Sequence, residues 1–256
     1  MQIVAVQLDI AWEDKPANHR RVAQLLQENP PQPGSLIILP EMFDTGFSMN
    51  LGATAQTDRR ESEAVLRQLA SQYESTVLGG VVGCAVNGQA SNLAVAFSPS
   101  GQELVRYQKQ RPFTLTREQE NYPAGRGEKF FQLDGVSIAP FVCYDLRFPE
   151  LFRPAALSGA ELLVVIACWP AVRSEHWVRL LQARSIENQA YVVGVNRCGS
   201  EPGLPFDGRS CAFDHMGKQL FQAGPEPQVL MATLDLEALR AWRRKFPALC
   251  DAKTYL

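Results

Sequence analysis

VSIAPFVCYDLRFPE, residues 136–150, starts as an uncharged apolar run, delivers one cysteine to a sudden cluster of charge, and ends on a proline and an acid. The apolar half has the composition of a strand buried on both faces, whereas Pro149 suits the first position of a helix and Glu150 its first turn. Cys143 is therefore predicted at a strand-to-helix corner. At such a corner a side chain is lifted off the sheet edge, and the next backbone N–H, that of Tyr144, points at an oxyanion forming on an attacked carbon. A lone cysteine is more often a small core hydrophobe. This one has a nucleophile's position, provided that partners converge on it.

Outward from this stretch, apolar runs of strand length recur at IVAVQL (3–8), SLIIL (35–39), TVLGGVVG (76–83), NLAVAF (92–97), ELLVVIA (161–167), AYVVGV (190–195) and VLMATLDL (229–236). Helical patterns separate them at PANHRRVAQLLQEN (16–29), ESEAVLRQLASQYES (61–75), FPELFRPAALSG (148–159) and SEHWVRLLQARSIENQ (174–189), the last with Ser174 as its expected N-cap. The alternation predicts an α/β fold. Residues 76–109 read instead as successive antiparallel strands with turn chemistry at NGQ and SPSGQ, and CAFDHMGKQLFQAG (211–224) repeats that style. Mixed rather than purely parallel sheets are expected.

With 256 residues, 46% of them hydrophobic, the chain suits a single domain over 1–256. PQPG at 31–34 reads as a loop and not a linker. A net charge of −2 with scattered Lys and Arg offers no basic field for nucleic acid. The sequence has no apolar run near membrane-spanning length and no signal-peptide pattern at its start, so a soluble cytoplasmic protein is expected, with a small molecule as its partner. Six scattered cysteines without a CxxC pair, and only three histidines, disfavour a zinc site and a disulfide framework. Neither a GxGxxG after a strand nor a GxxxxGK[ST] occurs, so no nucleotide cofactor is called for.

A thiol is mostly protonated at neutral pH and needs a base or a stabilising charge. His176, which opens a helix after the strand that follows Cys143, is one candidate base. A stronger one is Glu41 in SLIILPEMFDTGF, immediately beyond an apolar strand and a proline, because sites in open α/β sheets gather at the carboxyl ends of strands. Lys109 ends the strand side of RYQKQRPFTLTREQENYPAGRG, and Glu118 follows it. Glu, Lys and Cys at three strand ends supply a base, a cationic oxyanion donor and a nucleophile.

With these residues assembled, the sequence resembles the nitrilase superfamily, the carbon-nitrogen hydrolases with a Glu-Lys-Cys triad, in AVQLDIAWEDKPANH, ILPEMFDTGF, KQRPFTLTREQENYPAG, VCYDLRFPE and WPAVRSEHWVRLLQARSIENQAYVVGVNRCG. The last block resembles the bacterial ω-amidase branch. The resemblance implies a four-layer αββα sandwich with mixed sheets, usually a homodimer, in which residues 235–256 form a C-terminal extension packing on a partner subunit. It assigns Glu41 as general base, Lys109 as cationic donor, Cys143 as nucleophile and Glu118 as an additional site glutamate. Arg111 stands where relatives commonly have His, Cys168 where Asn is expected, and His215 where Pro is usual.

The implied reaction is hydrolysis, through a cysteine thioester and without metal or organic cofactor, of the terminal carboxamide of a small dicarboxylic acid monoamide of the α-ketoglutaramate or α-ketosuccinamate type. An arginine is the natural receptor for the far carboxylate. Arg173 is the first choice, with Trp169 and Phe43 as pocket walls; Arg147 is alternatively a structural partner of Asp145 or Glu150. Arg184, Glu187 and Asn188 read as a buried polar network joining a helix to the strand YVVGVN. Competing readings are a nitrilase proper, an N-carbamoyl amino acid hydrolase, a deaminated-peptide amidase, a Cys143–His176 thiol hydrolase and a binding member without turnover.

Overall fold

The computed structural model describes residues 1–254, and two six-stranded sheets form its centre. The first half of the chain comprises β1 (Gln2–Gln7), α1 (Lys15–Glu28), β2 (Leu36–Ile38), α2 (Leu51–Thr54), α3 (Glu61–Gln72), β3 (Thr76–Val82), β4 (Asn92–Phe97), β5 (Glu103–Gln108) and α4 (Glu118–Asn121). The second comprises β6 (Phe131–Leu133), β7 (Val136–Val142), α5 (Pro149–Leu157), β8 (Leu162–Ala167), α6 (Ser174–Asn188), β9 (Tyr191–Asn196), β10 (Cys198–Glu201), β11 (Leu204–Asp207), β12 (Cys211–Phe213), β13 (Gln219–Gln222), β14 (Gln228–Thr233), α7 (Leu236–Lys245) and α8 (Ala248–Thr254).

One sheet has the order β14-β1-β2-β3-β4-β5 and the other β13-β12-β9-β8-β7-β6. In each, three parallel strands (β1-β2-β3 and β7-β8-β9) are extended at both sides by antiparallel neighbours. The sheets are mixed, as the turn chemistry of 76–109 and 211–224 required.

Strand alternation builds the layers. On β1, Ile3 and Ala5 join the core shared with β7, β8 and β9, while Val4 and Val6 pack with Val22 and Leu26 of α1 and Leu66 and Leu69 of α3. The far face of the second sheet carries Phe152 of α5 and Trp177 and Leu181 of α6. Helix, sheet, sheet, helix is the four-layer αββα sandwich. The parallel strands are buried on both faces, so they read as unbroken apolar runs.

One local expectation changes. Ser174 is not the N-cap of α6: a single 3-10 turn at Ala171–Arg173 runs straight into the helix, Ser174 already has helical φ and ψ, and its hydroxyl accepts from Arg209 instead. The tail from 235 folds onto its own subunit, with Arg240 bonding Glu161 at 2.7 Å and Arg243 bonding the Gln189 carbonyl at 2.8 Å. Residues 255 and 256 of the expected extension lie outside the described residues. Among the described residues no helix is long and apolar enough to cross a membrane.

Candidate active site

β7 ends at Val142, and Cys143 opens a 3-10 turn over Cys143–Arg147 that leads to Pro149 at the first position of α5. The corner is strained, with Cys143 at φ 48°. A left-handed non-glycine costs about 1–3 kcal/mol and persists only where its surroundings over-determine it. Here the buried Asp145 carboxylate does so. It accepts from Val142 N at 3.0 Å, Arg111 N at 2.8 Å, Gln110 N at 3.2 Å and the Tyr107 hydroxyl at 2.7 Å, tying the cysteine turn to the segment that follows Lys109. Burial pushes the Asp145 carboxyl up to about 6 against these donors, so at neutral pH it is the ionised acceptor they need. Arg184 adds a bond from Nη2 to the Leu146 carbonyl at 2.8 Å. The expected network of Arg184, Glu187 and Asn188 exists, but it braces this turn rather than β9: Arg184 also bonds Glu187 at 2.8 Å, and Asn188 bonds the Arg184 carbonyl.

Glu41, just past β2, has a backbone so close to β3 that a Cβ on Gly80 would lie 2.5 Å from the Glu41 Cα. Met42 at φ 43° turns the chain there. Lys109 Nζ donates to Glu41 Oε1 and to Glu118 Oε2, each at 2.9 Å, and all three side chains are almost wholly buried. Glu41 Oε2 accepts from the Cys168 N–H at 2.8 Å, and Glu118 Oε2 from the Phe113 N–H at 2.6 Å. Cys143 Sγ lies 3.8 Å from the Cys168 carbonyl and interacts with the Glu41 carboxylate. Four residues drawn from positions 41 to 143 thus meet at the carboxyl ends of strands from both sheets.

Sequence reasoning missed Asn92, the first residue of β4. Its Nδ2 donates to Glu41 Oε1 at 2.8 Å and to Glu118 Oε1 at 3.0 Å, fixing the amide orientation and leaving buried Oδ1 without a partner among the described residues. An orphaned buried acceptor costs about 1–3 kcal/mol, so holding both carboxylates is favoured over local satisfaction. The available signal was a lone amide at the head of an otherwise apolar strand.

The electrostatics divide the labour. Burial disfavours charge on Lys109, but Glu41 and then Glu118 hold its pKa well above the usual lysine range, so it is an ammonium. Burial, and next the Glu41 carboxylate, push the Cys143 thiol well above its usual value, with Lys109 opposing, so the resting thiol is protonated. A reaction at this sulfur would need a base to remove its proton, and the Glu41 carboxylate is the group beside it.

Above this cluster opens a cavity of about 250 Å³. Lys109, Cys143, Tyr144, Cys168, Trp169 and Arg173 line it, as do the unanticipated Phe47, Arg147 and Glu201. Trp169 is fixed by Asn196, which accepts from its N–H at 2.7 Å and donates to its carbonyl at 2.9 Å. Phe43 is not a wall. Past the turn at Met42 it points into the core beside His19, and Phe47, whose ring centre lies 5.0 Å from Lys109 Nζ, takes the wall position. Arg147 partners neither Asp145 nor Glu150. It lies over the Trp169 ring at 4.7 Å and near His176 Nδ1 at 3.3 Å, while Arg173 lies over the Phe113 ring at 5.3 Å. Neither guanidinium has a carboxylate partner among the described residues.

Glu201, at the end of β10, is held by the buried Arg197 at 3.1 Å, and burial pushes it up to about 7. His176 is exposed on α6 and outside the cavity lining. Arg111 also lies outside it, 3.9 Å from Glu150, and His215 packs against Tyr191 and Trp242 near the C-terminal helix. Cys168 alone of the three departures enters the site.

A thiol, two carboxylates and a lysine at the strand ends of a four-layer sandwich are the equipment of an acyl-transferring hydrolase. Comparison with known proteins narrows the class. The carbon-nitrogen hydrolase family model matches residues 2–244. An ω-amidase, YafV, of Yersinia enterocolitica is 37% identical over 100% of this chain and 98% of its own, and a 2-oxoglutaramate amidase of Bacillus subtilis is 32% identical over 98% and 97%. A superfamily member from Xanthomonas campestris, whose crystal structure carries an arsenic adduct in its active site, superposes with a TM-score of 0.90 at 30% identity over 98% of this chain and 96% of its own. The chain belongs to the carbon-nitrogen hydrolase family, that is, the nitrilase superfamily, and groups with its ω-amidases. It is a hydrolase of carbon–nitrogen bonds.

Proposed function

We propose that the protein hydrolyses the terminal carboxamide of a small dicarboxylic acid monoamide, of the α-ketoglutaramate or α-ketosuccinamate type, to the diacid and ammonia. The observation that carries this reading is the pair of guanidiniums, Arg147 and Arg173, lining the cavity that ends at Cys143 and Lys109, neither of them paired with a carboxylate among the described residues. A carboxylate bound there would hold its far-end amide at the thiol.

In this mechanism Glu41 takes the Cys143 proton as the sulfur attacks the amide carbon. The oxyanion is held by the Lys109 ammonium and the Tyr144 N–H, and Glu41 returns the proton to the departing ammonia. Water, deprotonated by Glu41, then opens the thioester and frees the acid. Glu118 shares Lys109 and Asn92 with Glu41, and so keeps the lysine charged and the base in place.

Ammonia release from α-ketoglutaramate tests the reading. Turnover that disappears in Cys143→Ala, with the fold intact by circular dichroism, is expected; a folded protein that releases none removes this substrate class and leaves nitriles, N-carbamoyl amino acids and deaminated peptides to be tried. Arg173→Met is expected to raise KM about 10–100-fold, the value of a charge-assisted carboxylate contact, with a smaller effect on an amide lacking the far carboxylate. Equal effects on both substrates would remove Arg173 from carboxylate recognition.

The reading extends to a cytoplasmic homodimer. Exposed Ile186, Met216 and Phe246 gather at the end of α6, where Gln182 bonds the Gly217 carbonyl and Gln189 the Phe246 carbonyl, and this apolar surface beside the 235–254 tail would be covered by a second copy.

A further inference from the structure

A second cavity, of about 380 Å³, opens on the opposite face of the strand ends that carry the site. Successive side chains of a strand point to opposite faces. Asn92 turns inward to the two carboxylates, and its neighbours Ser91 and Leu93 line the second cavity. Along β5 and just beyond it, Tyr107 and Lys109 face inward while Arg106 and Gln108 line the second cavity. The two cavities stand back to back across one sheet.

The charge in this second cavity is unbalanced: Arg60, Arg106, Arg126 and Lys129 line it against one acid, Glu63. Glu63 is buried and already committed, bonded twice by Arg106 at 3.0 and 2.9 Å, with Arg60 at 3.6 Å and Arg67 at 3.7 Å. Arg126 and Lys129 have no hydrogen-bond or ion-pair partner among the described residues. The loop that bears them is nevertheless pinned. Gly125 N–H donates to the Lys109 carbonyl at 2.8 Å, Gln108 donates to the Pro123 carbonyl at 2.7 Å, and Gln110 donates to the Gly127 carbonyl at 3.2 Å. A Cβ at position 125 would lie 2.3 Å from the Gln108 carbonyl oxygen, so this approach is open to glycine only. Arg106 is paired a second time, with Glu103 at 2.6 Å, so Arg126 and Lys129 are the cations that no carboxylate among the described residues rewards for sitting together in a concavity. An anion would, since guanidiniums and ammoniums bind phosphoryl and carboxylate oxygens by charge-assisted bonds.

We propose that this cavity is a second ligand site, for a small molecule carrying at least two negative charges, with Arg126 and Lys129 as its principal contacts and Arg60 and Arg106 behind them. Cys84 lines the same cavity and serves as a built-in reporter.

The test is calorimetric titration of the full chain with pyrophosphate at constant ionic strength, beside the Arg126→Ala/Lys129→Ala double variant, whose exposed, unpartnered side chains leave the fold intact when removed. One saturable site per chain is expected, at least about 10-fold weaker in the double variant. Pyrophosphate should also slow alkylation of Cys84 by neutral iodoacetamide, mapped by peptide mass spectrometry, and leave Cys143 alkylation unchanged. Citrate titrated in parallel distinguishes the source of the charge: tighter pyrophosphate assigns phosphoryl groups and tighter citrate assigns carboxylates. No saturable heat with either, equal affinity in the double variant, or protection of Cys143 instead of Cys84 would each overturn the proposal.

Discussion

Glu41→Gln is expected to slow turnover by about 10²–10⁴-fold, the range lost with a positioned general base, and at the same time to move the pH midpoint of Cys143 alkylation downward. These two effects run in opposite directions for one reason. After burial, the Glu41 carboxylate is the main influence holding the thiol protonated, and Lys109 is the main one favouring the thiolate. Neutralising residue 41 leaves burial and the Glu118 carboxylate, whose influence is smaller than that of Lys109, against the lysine at the sulfur, so the thiolate forms at lower pH although the proposed mechanism has lost its proton relay to ammonia.

The substitution is isosteric but not neutral in its contacts. Glu41 accepts from three donors, Lys109 Nζ, Asn92 Nδ2 and Cys168 N, and donates to none of them. A glutamine must turn its NH₂ toward at least one N–H, leaving buried donors unpaired at about 1–3 kcal/mol. A lower melting temperature is therefore part of the expected result. Turnover measured on protein shown to be folded, together with iodoacetamide rates across pH, separates the two effects. An alkylation midpoint that stays fixed or rises would mean that Glu41 does not govern the thiol.

The corner at Cys143 was legible because its signals are local: an apolar run, then charge, then proline at a helix start. Glu41 and Lys109 were legible for a similar reason, each being a charged residue directly after a strand. What escaped depends on contacts between distant residues or on one backbone dihedral. Asn92 matters through Glu41, 51 positions away, and no local pattern records that pairing. Phe43 and Phe47 are equally apolar and lie in one loop, and only the left-handed turn at Met42 sends the first to the core and the second to the cavity. Arg147 was offered acids near in sequence, but Asp145 is occupied by four donors from 107 to 142, which leaves that arginine to the cavity. The β10–β11 hairpin, with its short polar strands, has too weak a pattern to be read in advance, and Glu201 was missed with it.

Lys109→Met carries the other large expectation, and its signature is a stability deficit that depends on pH. In the intact protein one ammonium bridges two buried carboxylates, both of which also share the Asn92 amide. Methionine keeps the bulk and removes the charge, so Glu41 and Glu118 face each other with only dipoles between them. Removing one partner from a buried ionic group costs about 3–5 kcal/mol. The protein's inexpensive escape is to protonate a carboxylate, which raises that group's folded-state pKa above its unfolded value near 4.3. A group shifted upward contributes stability that is fully present below the unfolded pKa and is lost as pH rises through the folded one. The melting-temperature deficit of Lys109→Met relative to the unmodified protein should accordingly be largest near pH 8 and shrink as the pH falls toward 5. Turnover should fall by at least about 10²-fold at every pH, because protonating a glutamate restores stability without restoring the cation that the proposed mechanism places at the oxyanion. Glu118→Gln combined with Lys109→Met isolates the cause: with one carboxylate already neutral, the pH dependence of the deficit should flatten. A deficit in the single variant that is constant with pH, or that grows on acidification, would show that the lysine does not balance the two glutamates.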